Sequence, residues 1–136
     1  MHDPLTDQAF RVQLDTPYEE ALERTRAALQ AEGFGVITEI DIPSTLKEKI
    51  GADFRKYAIL GACNPSIAHR ALSIEREIGL LLPCNVIVYE AEGQPGTVVS
   101  IVDPMAMLAD IEEPELQSIA DDAHARLARV AQALAG

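Results

Sequence analysis

ILGACNPSIAHRAL, from Ile59 to Leu72, and LLLPCNVIVYE, from Leu80 to Glu90, decide the fold of this chain. Each holds a Cys-Asn pair, Cys63-Asn64 and Cys84-Asn85, and these are the chain's two cysteines. The residues from Tyr57 to Cys63 read as a strand that is apolar on both faces. Tyr57, Ile59, Gly61 and Cys63 lie on one face, and Ala58, Leu60 and Ala62 on the other. Asn64 before Pro65 is a helix start, because an asparagine side chain accepts from the orphan amides and proline suits the first helical position. The helix it opens carries the stripe Ile67, Ala71, Ile74 and Ile78 and closes at Gly79. A right-handed crossover would make the flanking strands parallel and separate the two Cys-Asn pairs. An antiparallel arrangement would bring both pairs to one edge.

Upstream, Phe10, Val12 and Leu14 alternate with polar residues as a strand with one buried face. DTPYEE then reads as a helix start, with Thr16 as N-cap, Pro17 at the first position and Glu19 closing a capping box. That helix places Tyr18, Ala21, Leu22, Thr25, Ala28 and Leu29 on one stripe and ends at Gly33. In the next strand, VITEIDI, Val36, Thr38, Ile40 and Ile42 face one way. Glu39 and Asp41 share the other face with Ile37. PSTLKEKIG is a short helix capped by Ser44 or Thr45 and closed by Gly51.

Downstream, NVIVYE and TVVSIVD form a hairpin, with Pro95-Gly96 fitting a type II turn between them. PMAML makes one apolar turn. A last helix from about Pro114 buries one seam through Leu116, Ala120, Ala123, Leu127, Val130 and Leu134. The expected architecture is α+β. It is a single domain over residues 1–136, with one mainly antiparallel sheet of about five strands and two long helices on one face. A short extra helix and an inserted helix complete it. The central strands are apolar on both sides, so the second sheet face needs a cover: a partner subunit, the inserted helix or a ligand cavity. A homodimer is the expected answer.

The 136 residues suit one domain, and 48% of them are hydrophobic, so the chain can build a core. Acidic residues outnumber basic ones 22 to 11, for a net charge of −11. That surface repels phosphate backbones, so nucleic acid is not an expected partner. No apolar stretch approaches a membrane span, and MHDPLTDQAF has no secretory pattern. A soluble cytoplasmic protein with reduced thiols is expected.

The segments GFGVITEIDIPSTLKEKIGADFRKYAILGACNP, EIGLLLPCNVIVYE and TVVSIVDPMAML resemble the domain-of-unknown-function 302 family over nearly the whole chain. The resemblance implies a small dimeric α+β protein of TATA-box-binding-protein-like architecture, with no assigned activity. It implies the antiparallel arrangement of the two Cys-Asn strands. It also marks Asn64-Pro65 and Leu82-Pro83 as framework features, and the thiols as a property of this branch.

Small residues ahead of a helix N-terminus make Gly61, Ala62, Cys63, Asn64, Pro65, Cys84 and Asn85 the candidate site. Its expected role is to bind a small ligand, with anions such as phosphate or carboxylate among the candidates. An alternative is thiol redox or sulfur-carrier chemistry, with Cys63 as nucleophile and Cys84 as resolving partner. Another is a purely structural homodimer. Cys63, His69 and Cys84 match no zinc spacing, so neither metal nor cofactor is expected. Glu39 and Asp41 read as a solvated pair. No catalytic motif is present, and nothing in the chain asks for an enzyme.

Overall fold

Residues 5–136 are described by a computed structural model. They form five strands and five α-helices, the last two strands and the last two helices being consecutive. They run β1 (Ala9–Leu14), α1 (Tyr18–Ala31), β2 (Gly35–Asp41), α2 (Ile42–Ile50), β3 (Tyr57–Cys63), α3 (Pro65–Ile74), β4 (Cys84–Glu90), β5 (Thr97–Val102), α4 (Pro104–Met107) and α5 (Pro114–Ala135). The strands form one sheet in the order β1-β5-β4-β3-β2, and every neighbouring pair is antiparallel. The α+β layer arrangement is the expected one, with α1 and α5 as its two long helices.

Alternation within the strands builds the core. Ala58, Leu60 and Ala62 of β3, Val86 and Val88 of β4, and Val99 and Ile101 of β5 are all buried. They pack with Ala21 and Leu29 of α1 and Leu127 and Val130 of α5 in one cluster. Each fully buried Leu, Ile or Val side chain in such a cluster contributes about 1.5–3 kcal/mol relative to exposure. The opposite face carries Ile40, Ile59, Ile87, Tyr57 and Tyr89, none of them fully buried.

Several local expectations are corrected. α1 has Pro17 as N-cap with no side-chain cap bond, so the Thr16–Glu19 capping box does not form. Thr16 Oγ1 is buried without a hydrogen-bond partner among the described residues, and Glu19 instead pairs with Lys56 at 2.7 Å. In β2 both Val36 and Ile37 lie opposite Ala62, because the register slips between Val36 and Thr38. This bulge reverses the faces beyond it. Val36 therefore shares the helix-covered side with Glu39 and Asp41, while Thr38 and Ile40 turn to the other side. Neither acid is merely solvated. Glu39 pairs with Arg26 of α1, and Asp41 caps α2 by accepting from Ser44 N at 3.1 Å. α2 thus begins two residues before Ser44, although Gly51 closes it as expected.

The inserted helix α3 stops at Ile74, not at Gly79. A 3-10 turn, Arg76–Leu81, continues the wing and packs back on α3. α3 also lies against α5. A space is left where this wing, α5 and the end of the sheet meet.

Candidate functional site

The helix start at Asn64 forms as its sequence demands. Asn64 Oδ1 accepts from Ile67 N at 3.2 Å, and the Asn64 carbonyl accepts from Ala68 N at 2.9 Å. The side chain is itself buried and lies against Gly33. Gly33 has φ +86°, and a Cβ there would stand 2.9 Å from Asn64 Nδ2. The left-handed turn that ends α1 is therefore also what leaves room for the cap of α3.

A cavity of about 310 Å³ opens at this junction. Its sheet-end wall includes Ala62, Cys63, Asn64, Pro83 and Cys84. α3 and the 3-10 turn supply Ile67, Ala71, Ile78 and Leu81, while α4 supplies Met107 and α5 supplies Ile119, Ala120 and Ala123. Ile37, the extra residue of the β2 bulge, and Leu72 line the cavity and are exposed to solvent, which places them at its mouth. Asn64 is the one lining residue with a polar N or O side chain; no Lys, Arg, Asp, Glu or His is among them.

Of the seven candidate residues, Ala62, Cys63, Asn64 and Cys84 border the cavity, while Gly61, Pro65 and Asn85 do not. Asn85 pairs with Gly61 on the far face of the sheet, by the same alternation that sends Cys84 inward. Both cysteines are free. Ala62 is the register partner of Cys84, which sets Cys63, one residue on, beside it at the same end of the sheet. Burial pushes the Cys84 thiol up to about 11, with the neighbouring Cys63 adding to the shift. A thiol so placed stays protonated at neutral pH.

Sequence reading missed the walls given by Phe34, Leu81 and α5. The small residues Ala120 and Ala123 within the α5 seam were the available signal, since a seam of alanines leaves volume for something else. It also missed the pairing of His124 Nδ1 with Asp103 Oδ1 at 2.8 Å, with Phe10 stacked at a tilt on the imidazole. Among the described residues no group of three or more His, Cys, Asp or Glu residues is placed to hold a metal ion. No helix there is long and apolar enough to cross a membrane.

This geometry defines a small α+β protein with an apolar cavity between its sheet end and an inserted helical wing. Residues 10–134 match the family model described as "Domain of unknown function DUF302", and the chain belongs to that family. It is similar to the solved structure titled "Crystal structure of uncharacterized conserved protein DUF302 from Bacillus stearothermophilus". Identity is 33% and the TM-score 0.83, with 93% of this chain and 98% of that one covered. No functionally curated protein matches it.

Proposed function

We propose that this protein is a non-enzymatic binding module for a small, mainly aliphatic molecule seated at the Cys63-Asn64 junction. The observation that carries this reading is the 310 Å³ cavity at the helix start, walled by carbon and sulfur and open past Ile37 and Leu72. Pockets of this size and lining bury apolar ligands by excluding water, while a few polar groups set orientation.

The same junction offers little to an anion. Pro65 has no amide hydrogen, Ile67 N is taken by Asn64 Oδ1 and Ala68 N by the Asn64 carbonyl. Ser66 N alone is left in the first turn, and no cationic side chain lines the space. Burying an unpaired charge there is unfavourable. An uncharged ligand is the better fit.

Filling the cavity tests the reading. N-phenyl-1-naphthylamine, an uncharged apolar probe, is expected to gain fluorescence with the native protein. Ala71→Leu and Ala123→Leu are each expected to abolish that gain while leaving the fold intact. Binding that is absent, or unchanged by both substitutions, overturns it.

A second reading, a homodimer built on the sheet face turned away from α1 and α5, is favoured by the row Ile40, Ile59 and Ile87. These three sit side by side on β2, β3 and β4, with Ile40 45% exposed. Contiguous apolar surface of this kind marks interaction sites. Light scattering at micromolar concentration is expected to give twice the chain mass, reduced to the monomer by Ile59→Asp. A wild-type monomer rules the dimer out.

A further inference from the structure

The sheet face away from α1 and α5 has an aromatic ladder at one end. Tyr57 and Tyr89 are register partners on β3 and β4, and their rings stack at 5.3 Å with an interplanar angle of 12°. Phe54, in the loop before β3, meets Tyr57 edge-on at 6.2 Å. The next position of the row, on β5, is Val98, the partner of Tyr89. A short side chain therefore stands where the ladder would continue. Val98 is buried, yet it lies outside the main core cluster. It forms the floor of a cleft of about 480 Å³ between the loop before β3 and the β4–β5 connection.

Charge adds a second observation. In a chain with twice as many acids as bases, most basic side chains of the described residues are held by carboxylates: Arg26, Lys47, Lys56, Arg70, Arg126 and Arg129. Arg11, Arg24, Lys49, Arg55 and Arg76 make no ion pair among the described residues, and two of these five, Arg11 and Arg55, line this cleft. Arg55 is anchored by donating to the Ala91 carbonyl at 3.2 Å, which ties the two loops together. Arg11 is exposed on β1, opposite Ser100 and one row from Val98. Of the acids that line the cleft, Asp53 is taken by Lys47 at 3.0 Å, and Glu90 pairs across to Thr97 on the helix-covered side. Glu92, on the β4–β5 connection, is left to repel an anion from that end.

We propose that this cleft binds a planar aromatic molecule carrying an acidic group, its ring lying over Val98 against Tyr89 and its anion paired with Arg11. The ring continues the stack in the offset geometry aromatic pairs favour. The guanidinium supplies the charge-assisted hydrogen bonds that a carboxylate or phosphate accepts in pairs. A site of this composition discriminates on two independent axes, planarity and charge, which the apolar cavity on the other side does not.

The test uses 2-naphthoate as probe and the ring and methyl NMR signals of Tyr57, Tyr89 and Val98 as readout. Naphthoate is expected to shift all three. Uncharged 2-naphthylmethanol and non-planar cyclohexanecarboxylate are expected to bind roughly tenfold more weakly, the scale of one lost charged hydrogen bond or stacking contact. Arg11→Gln, at an exposed position, is expected to weaken naphthoate by a similar factor and to leave 2-naphthylmethanol unchanged. Val98→Phe fills the step and is expected to abolish binding. The proposal is overturned if no shift occurs, or if the uncharged probe binds as well as naphthoate. It is equally overturned if shifts appear only at cavity residues such as Ala71 and Ala123, or if a dimer in solution buries Tyr89.

Discussion

Ala62 of β3 lies directly opposite Cys84 of β4. That one register pair brings both Cys-Asn segments to the same end of the sheet. Both cysteines border the cavity at that end, near enough for Cys63 to add to the raised pKa of Cys84. Neither is in a disulfide.

Burial keeps the Cys84 thiol protonated at neutral pH, and the thiolate is the reactive form. Both thiols are therefore expected to remain titratable after brief mild oxidation at pH 7, with intramolecular disulfide appearing in mass spectra only as pH is raised. Cys84 is expected to alkylate slowly at pH 7 and to speed up as pH rises toward about 11. Its folded pKa lies above the ordinary value of 9.0, so its contribution to stability is complete below pH 9 and is lost as pH rises through about 11. Urea unfolding at pH 8.5 and 10.5 checks the sign. Cys84→Ala is expected to show a smaller loss between the two than wild type does.

Gly61 is packed against Thr38 and Pro83 on the face away from α1 and α5. A Cβ at Gly61 would collide with Thr38 Oγ1 and stand 2.8 Å from Pro83 Cγ. Gly61→Ala is expected to cost about 1–3 kcal/mol, the range for overpacking a tight contact. Gly35→Ala is the control, since nothing lies within 4 Å of its added Cβ. Equal denaturation midpoints for the two variants would contradict the packing at Gly61.

Thr16 gives the opposite sign. Its carbonyl accepts from Thr97 Oγ1 at 2.8 Å, but its own hydroxyl is buried with no partner among the described residues. Thr16→Val keeps the shape and removes the unsatisfied group, and a gain of about 1 kcal/mol is expected in thermal unfolding. A loss of that size would show that the hydroxyl is satisfied in solution.

Asp122 joins α3 to α5. Arg126, which donates to it at 3.0 Å, holds its carboxyl below the usual carboxylate range, and Arg70 of α3 adds to this at 2.8 Å. A lowered folded pKa means stability that is present above the ordinary carboxylate value and lost as pH falls through the shifted one. Asp122→Asn is expected to flatten the acid limb of the stability profile, modestly because the pair is partly solvated. An unchanged acid limb would remove Asp122 from the pairing.

The sequence alone determined what is local. Asn64 before Pro65 could be read as a helix start because the cap bond spans three residues, and the 4-3-4 seam of α5 because one helix carries its own period. The pattern of Tyr57 to Cys63 likewise marked a strand apolar on both faces, of which the fold buries one and only partly covers the other. Tertiary structure decided what depends on distant partners. Thr16 had the right residues around it to cap α1, but Lys56 took Glu19 and the Thr16 hydroxyl is left without a partner among the described residues. The faces of β2 turned on whether Ile37 would be paired or bulged, which its own alternation does not encode. Wall residues of the cavity and the rungs of the Tyr57–Tyr89 ladder lie tens of residues apart, and only the register of β3 against β4 and the seating of α5 bring them together. Short-range bonds form wherever their residues occur, whereas long-range ones exist only once competing contacts across the whole fold have been settled.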